Sequence, residues 1–347
     1  MLDRCLLFLG LALVVCSSHG LRAADANLQI GPDQLDFYLF QAFAAESQAQ
    51  RYRLNHIGIQ GEPTTEGFLV SGALQDYPAH NAGIVRGDVI TASDGRPFHP
   101  VFSFNDSAIA PTGLAPLSRS YDLELRRGEQ TMTVSVSPVF ENLYDSYRIA
   151  TLNSVQEFSS GNKTIGYVQL WSLARSTDSL FSLQQLITGL ANCDGIIVDL
   201  RGSYGFLDQE HFKLFSLNTP ELTLSGAPPW LESWSSPAYP VEIEAYRKPA
   251  AILIDESTRA AAELMVMALD DAERIISLGA ATAGLFGQFE LEGDTLNYEA
   301  ASNFMVNGSQ PEDMGVEPEQ AVEFPFTESR RDDPQFEAAV TLLLGVI

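Results

Sequence analysis

Gly195-Ile-Ile-Val-Asp-Leu200 is the most constraining stretch of the chain: an apolar run of strand length, set between Asn192-Cys193-Asp194 and Arg201-Gly202. It lacks the alternation of a half-exposed strand and fits one buried on both faces, as in a parallel sheet. Pro249 to Ile254 repeats the pattern. Around them strands are expected at Ile165–Leu170 and Arg274–Leu278, and helices at Ser179–Leu190 and Arg259–Leu269. That alternation reads as an α/β domain over residues 141–347. Asp333-Pro334, an N-cap followed by a first-turn proline, opens a last helix through Leu344. Residues 218–246, rich in Pro, Ser and aromatics, read as a surface excursion.

Residues 51–140 have a different texture, with short apolar runs between Gly, Pro and Asp turns. Tyr121–Leu125 and Thr131–Val136 alternate strictly, and Arg127-Gly128-Glu129 between them is a hairpin turn. This is a small β-rich module. Residues 27–50 read as a helical lead-in, because Leu35, Tyr38, Leu39, Ala42 and Phe43 recur at helical spacing; Asp36 and Gln41 fall off that stripe, although Phe37 and Phe40 widen it.

Arg4, the apolar run Leu6–Val15 and Ala24-Asp25-Ala26 make residues 1–26 a secretory leader, so the protein is expected to be exported, to a periplasm or outside the cell. Val15 is a poor lipobox residue, which argues against lipid anchoring at Cys16. No later apolar run reaches membrane length. Cys193 then remains as the sole cysteine, which excludes an internal disulfide. His56, His80, His99 and His211 lack metal-ligand spacing, so neither metal nor cofactor is expected. With 45 acidic against 20 basic residues, the net charge of −25 argues against nucleic acid as a partner.

Gly67-Phe-Leu-Val-Ser-Gly, Pro78-Ala79, Ala82-Gly83-Ile84, Gly87-Asp88-Val89-Ile90 and Asp94-Gly95 resemble a PDZ domain of exported proteases. By analogy Ile57, Gly58 and Ile59 would form its carboxylate-binding loop, with Arg51 and Arg53 close by to attract the carboxylate. The implied partners are polypeptide C-termini or unfolded exported proteins.

The following domain resembles the carboxy-terminal processing, or tail-specific, serine protease family. Ile165-Gly166-Tyr167-Val168, Gly195–Gly202, Ile254–Glu263, Met314–Pro318 and Asp333-Pro334-Gln335 carry the likeness in order and spacing. It implies a protease-like α/β (α+β) core with crotonase-like spiral character. The family's nucleophile segment reads "T-R-S-x-x-E" in one branch; here Thr258, Arg259 and Glu263 match, and Ala260 occupies the serine position. A methyl group cannot attack a carbonyl. Leu285 stands where one branch carries its general-base lysine. Gly202, Ser203 and Gly205 correspond to the oxyanion region, but Tyr204 and Phe206 replace small glycines and would fill the space there.

The resemblance with these departures implies a homologue that no longer cleaves and retains peptide binding. The alternative is an active endopeptidase with a non-standard nucleophile or base. Ser257 and Thr258 are the fallback hydroxyls, one of them expected to be a helix N-cap. His211 would serve as base only if the 218–246 excursion folded over the site.

Overall fold

A computed structural model describes residues 28–45, 47–174, 177–207, 209–215, 223–228, 231, 245–269, 272–325 and 332–347. The leader expected at 1–26, Cys16 with it, and most of the 218–246 excursion lie outside the described residues. No helix among the described residues is long and apolar enough to cross a membrane.

Helix α1 (Leu35–Ala44) occupies the lead-in, and beyond the stripe widened by Phe37 and Phe40 it also buries Gln41. Phe37, Phe40 and Gln41 are buried beside Tyr38, Leu39, Ala42 and Phe43, because α1 is packed from several sides at once. The Gln41 amide donates to the Gln50 carbonyl and accepts the Tyr52 N–H, so the polar residue is internally satisfied.

The β-rich module is an antiparallel sheet in the order β1 (Ile59–Thr64), β2 (Gly67–Ala73), β3 (Val89–Ser93), β4 (Tyr121–Arg127) and β5 (Gln130–Val136). The alternation Tyr-Asp-Leu-Glu-Leu places Tyr121, Leu123 and Leu125 inside and the acids outside. These join Ile57, Phe68, Val70, Ile84, Ile90 and Phe104 in a hydrophobic cluster of the module's own. The short helix α2 (Pro78–Asn81) starts with proline in its first turn. In the Gly-Asp turn before β3, the fully buried Asp88 accepts both Nε and Nη2 of Arg127 at 2.7 Å. A buried carboxylate is tolerated there because it is paired and hydrogen-bonded.

Helix α3 (Leu143–Asn153) leads into the core sheet, capped by the Asn142 side chain on the Asp145 N–H. The sheet order is β6 (Gln156–Ser160), β7 (Lys163–Gln169), β8 (Gly195–Asp199), β9 (Ala250–Ile254), β10 (Ile275–Gly279) and β11 (Gln320–Ala321). Only the β6–β7 pairing is antiparallel. Every residue of β8 and β9 is buried. Ile196, Val198, Ala250, Ile252 and Ile254 enter the main cluster, with helix α4 (Thr177–Gly189) and helix α5 (Ala261–Leu269) on that face. Ile197, Ala251 and Leu253 meet Ala339 and Leu343 of helix α6 (Pro334–Val346) on the other. Double coverage is why these strands read as unbroken apolar runs.

The mixed α/β class agrees with the sequence. Helix α5, however, starts two residues later than expected, because Ala260 adopts φ +53 and interrupts the helical path. At α6 the expected cap is present, with Asp333 accepting the N–H groups of Gln335 and Phe336 at 3.0 Å. Arg201 bridges Asp333 to Asp199, whose two carboxylate oxygens it engages at 2.9 and 2.6 Å.

Candidate active site

The segment from β9 to α5 is an ordered turn built from its own side chains. Asp255 Oδ1 accepts the Ser257 N–H at 2.9 Å and the Ser257 hydroxyl. Thr258 Oγ1 accepts the Asp255 N–H at 3.1 Å and donates to the Leu200 carbonyl at 3.0 Å. Neither hydroxyl caps α5, contrary to the N-cap expected from the sequence. The helix-entry donor is taken by Glu263, whose Oε2 accepts the Ala260 N–H at 2.7 Å.

Ala260 is buried in left-handed backbone, which costs a residue with a Cβ of order 1 kcal/mol or more. The turn is therefore held by its surroundings. Glu263 supplies much of that hold: it also accepts from Thr282 Oγ1 and the Gly284 N–H, both at 2.6 Å, and from the Leu285 N–H at 3.2 Å. Burial pushes its carboxyl up to about 7, even though these donors favour the charged form. The same residue fixes the segment bearing Leu285, which is itself 1% exposed. Its neighbours are Ala283, Leu28, Phe289 and Tyr298. The Leu285 side chain is thus in an apolar cluster, with the Glu263 carboxylate on its backbone N–H.

Among the residues expected to form an oxyanion region, the Gly202 N–H donates to Ser257 Oγ at 2.8 Å. The Gly202 carbonyl accepts from Gln60 Nε2, which also reaches Tyr147 Oη, both at 2.7 Å. Gly202 has φ +69, and a Cβ there would stand 2.1 Å from Gln60 Oε1. The Gln60 side chain is flexible and can give way, so it is the positive φ that favours glycine at this contact between the β-rich module and the core. Ser203 is fully buried and its Oγ has no hydrogen-bond partner among the described residues. Gly205 packs on the Leu173 carbonyl, where a Cβ would sit 2.0 Å away.

Tyr204 and Phe206 do fill space, and what they meet is α1. The Tyr204 ring lies 4.6 Å from Phe40 and 5.2 Å from Phe43, and Phe206 lies 6.2 Å from Phe43. Arg259 stacks over Phe40 at 5.2 Å and pairs with Asp36 at 3.0 Å. Sequence reasoning placed Asp36 off the packing stripe and missed this contact; its off-stripe position was the available signal.

Ile57 and Ile59 are buried. The Gly58 N–H donates to His56 Nδ1 at 3.1 Å, while the Ile57 and Gly58 carbonyls accept from Ala79 and Leu74. His56 is fully buried, and burial pushes its imidazole down to about 3, so the ring is neutral. Its Nε2 faces Ser146 Oγ at 3.2 Å. Arg51 and Arg53 do not face this loop: they donate to the Ala42 and Phe140 carbonyls. His211 is buried in a short helix, Gln209–Phe212, packed against α5.

A cleft of about 800 Å³ lies between β1, the start of α1 and the Glu256–Arg259 turn, with Tyr147 in its wall. Strand β1 is at the end of its sheet, and its outer edge pairs with no strand among the described residues.

Residues 164–322 match peptidase family S41. The chain is 26% identical over 314 residues to a carboxyl-terminal-processing protease of Synechocystis sp. (strain ATCC 27184 / PCC 6803 / Kazusa), covering 84% of this chain and 69% of that protein. A solved structure from Bacteroides fragilis NCTC 9343, assigned as an S41 protease, superposes with a TM-score of 0.53 at 14% identity, covering 85% of this chain and 84% of that one. The photosystem II D1 C-terminal processing protease gives 0.47 at 17% identity, covering 81% and 74%. At such identities the structural likeness is one of fold. The chain carries a peptidase family S41 domain and is a homologue of the carboxyl-terminal processing proteases.

Proposed function

We propose that this is an exported, non-cleaving homologue of the tail-specific peptidases that holds polypeptide segments in the cleft along β1, with residues 51–140 as a PDZ-type module. The carrying observation is at the helix entry: residue 260 is alanine, and the nearest hydroxyls are committed to structure. Ser257 Oγ is fixed between Asp255 and the Gly202 N–H, and Thr258 Oγ1 donates to the Leu200 carbonyl. Loss of a nucleophile of this kind commonly removes several orders of magnitude of rate. The open edge of β1, facing a cleft, supports peptide binding, since an extended segment adds to such an edge through backbone hydrogen bonds.

One observation favours the rival reading, an active peptidase with Ser257 as nucleophile: its hydroxyl donates to Asp255 and the residue lines the cleft. The test is to incubate the pure protein with a fluorophosphonate probe and with unfolded substrates, beside Ser257→Ala and Ala260→Ser. No labelling and no cleavage by the wild type is expected. Turnover abolished by Ser257→Ala would establish the rival.

A further inference from the structure

The geometry points to internal, basic segments of extended polypeptide as the occupants of the cleft, in preference to free C-termini. This rests on the peptide-binding reading above and adds the class of segment.

The first ground is the state of the loop Ile57-Gly58-Ile59. A receptor for a free carboxylate needs backbone N–H groups aimed at open space. Here the Gly58 N–H is held by a neutral His56, and a Cβ at Gly58 would stand 2.5 Å from Tyr77 Cβ. Neither Ile57 nor Gly58 lines the cleft. The two arginines just before the loop are turned to Ala42 and Phe140, and line a separate groove. A terminal carboxylate thus finds neither the central amide nor the cations.

The second ground is what the cleft does present. All six residues of β1 line it, so a segment can run past the strand without ending there. Arg259 also lines it, and its buried Nε has no hydrogen-bond partner among the described residues, which leaves a donor for a peptide carbonyl.

The third ground is charge. Asp33, Asp36, Glu62, Glu66 and Glu256 line the cleft. Of these, Asp36 is paired with Arg259 and Glu66 with Arg126, and Arg86 lies near Glu256, so the acids still outnumber the cations; burial pushes the His99 imidazole down, away from a further positive charge. None of the chain's three lysines lines it. Glu256 is pushed up by burial and by the adjacent Asp255 and held back by Arg86; a peptide cation close by would favour its charged form further. A terminal carboxylate would meet the same field as repulsion, and lysine or arginine side chains as attraction.

The experiment uses the full chain and fluorescent ten-residue peptides with lysines alternating with apolar residues. Each peptide is made with a free or an amidated C-terminus, and with every lysine replaced by glutamine. Affinity is read by anisotropy at low and high salt. The lysine peptides are expected to bind at least tenfold tighter than the glutamine ones, to weaken with salt, and to be indifferent to amidation. Glu62→Gln with Glu256→Gln should narrow the lysine–glutamine gap several-fold while leaving the glutamine peptides unchanged. Equal binding of the two series would overturn the charge preference and leave peptide binding standing. Tighter binding of the free acid would return the site to C-terminal recognition. Binding by none of the peptides would overturn peptide binding itself.

Discussion

Glu263, in the first turn of α5, accepts the N–H of Ala260 at 2.7 Å and the N–H of Leu285 at 3.2 Å. One buried carboxylate therefore ties the entry of α5 to the segment bearing Leu285.

The pH dependence of stability should report this carboxylate. Its folded value is about 7 against an ordinary 4.5. The folded state then holds the proton more tightly than the unfolded one. The stabilisation is complete below about pH 4.5 and is lost as pH rises through about 7. Urea midpoints of the wild type, taken relative to Glu263→Gln, should fall between about pH 5 and pH 8. A constant difference across that range would show that Glu263 is ionised throughout.

Ala260→Gly should stabilise the protein. Left-handed backbone at φ +53 costs a residue with a Cβ and suits glycine, and the gain should be about 1 kcal/mol. Ala260→Val should destabilise by more than that, since a β-branched side chain is worse still in this conformation. Urea denaturation measures both, and a destabilised glycine variant would contradict the strain.

Leu285→Lys should cost about 2 kcal/mol or more, because an ammonium would enter the pocket of Ala283, Leu28 and Phe289. Ala260→Ser with Leu285→Lys should not react with a fluorophosphonate. Measurable acylation of that pair would mean that the pocket admits a charged base.

Asp36→Ala should leave the Arg259 guanidinium buried without its acidic partner. Removing one member of a largely buried pair costs about 3 kcal/mol. Since Asp36 is on α1, the loss should show as faster hydrogen exchange over 35–44 than elsewhere in the chain. Uniform acceleration would place the effect in the whole fold instead.

Local signals determined much of this protein. The doubly buried β8 and β9 are written as unbroken apolar runs, the hairpin from β4 to β5 as alternation around Gly128, and the start of α6 as Asp333-Pro334. These features follow from periodicity and backbone preference within a few residues. The absence of a hydroxyl at 260 is likewise a fact of the sequence, whatever the fold.

The partners of the polar groups were decided only by tertiary structure. Ser257 and Thr258 look like capping residues, yet they serve Gly202 and Leu200 on a different strand end. Asp36 meets Arg259 across 223 residues, and Gln60 meets Gly202 across 142. Gly58 looks like an open anion-binding turn until His56 is seen to hold its N–H. A hydroxyl, amide or carboxylate bonds to whatever packing brings within about 3 Å, and packing joins segments whose separation in sequence carries no local pattern.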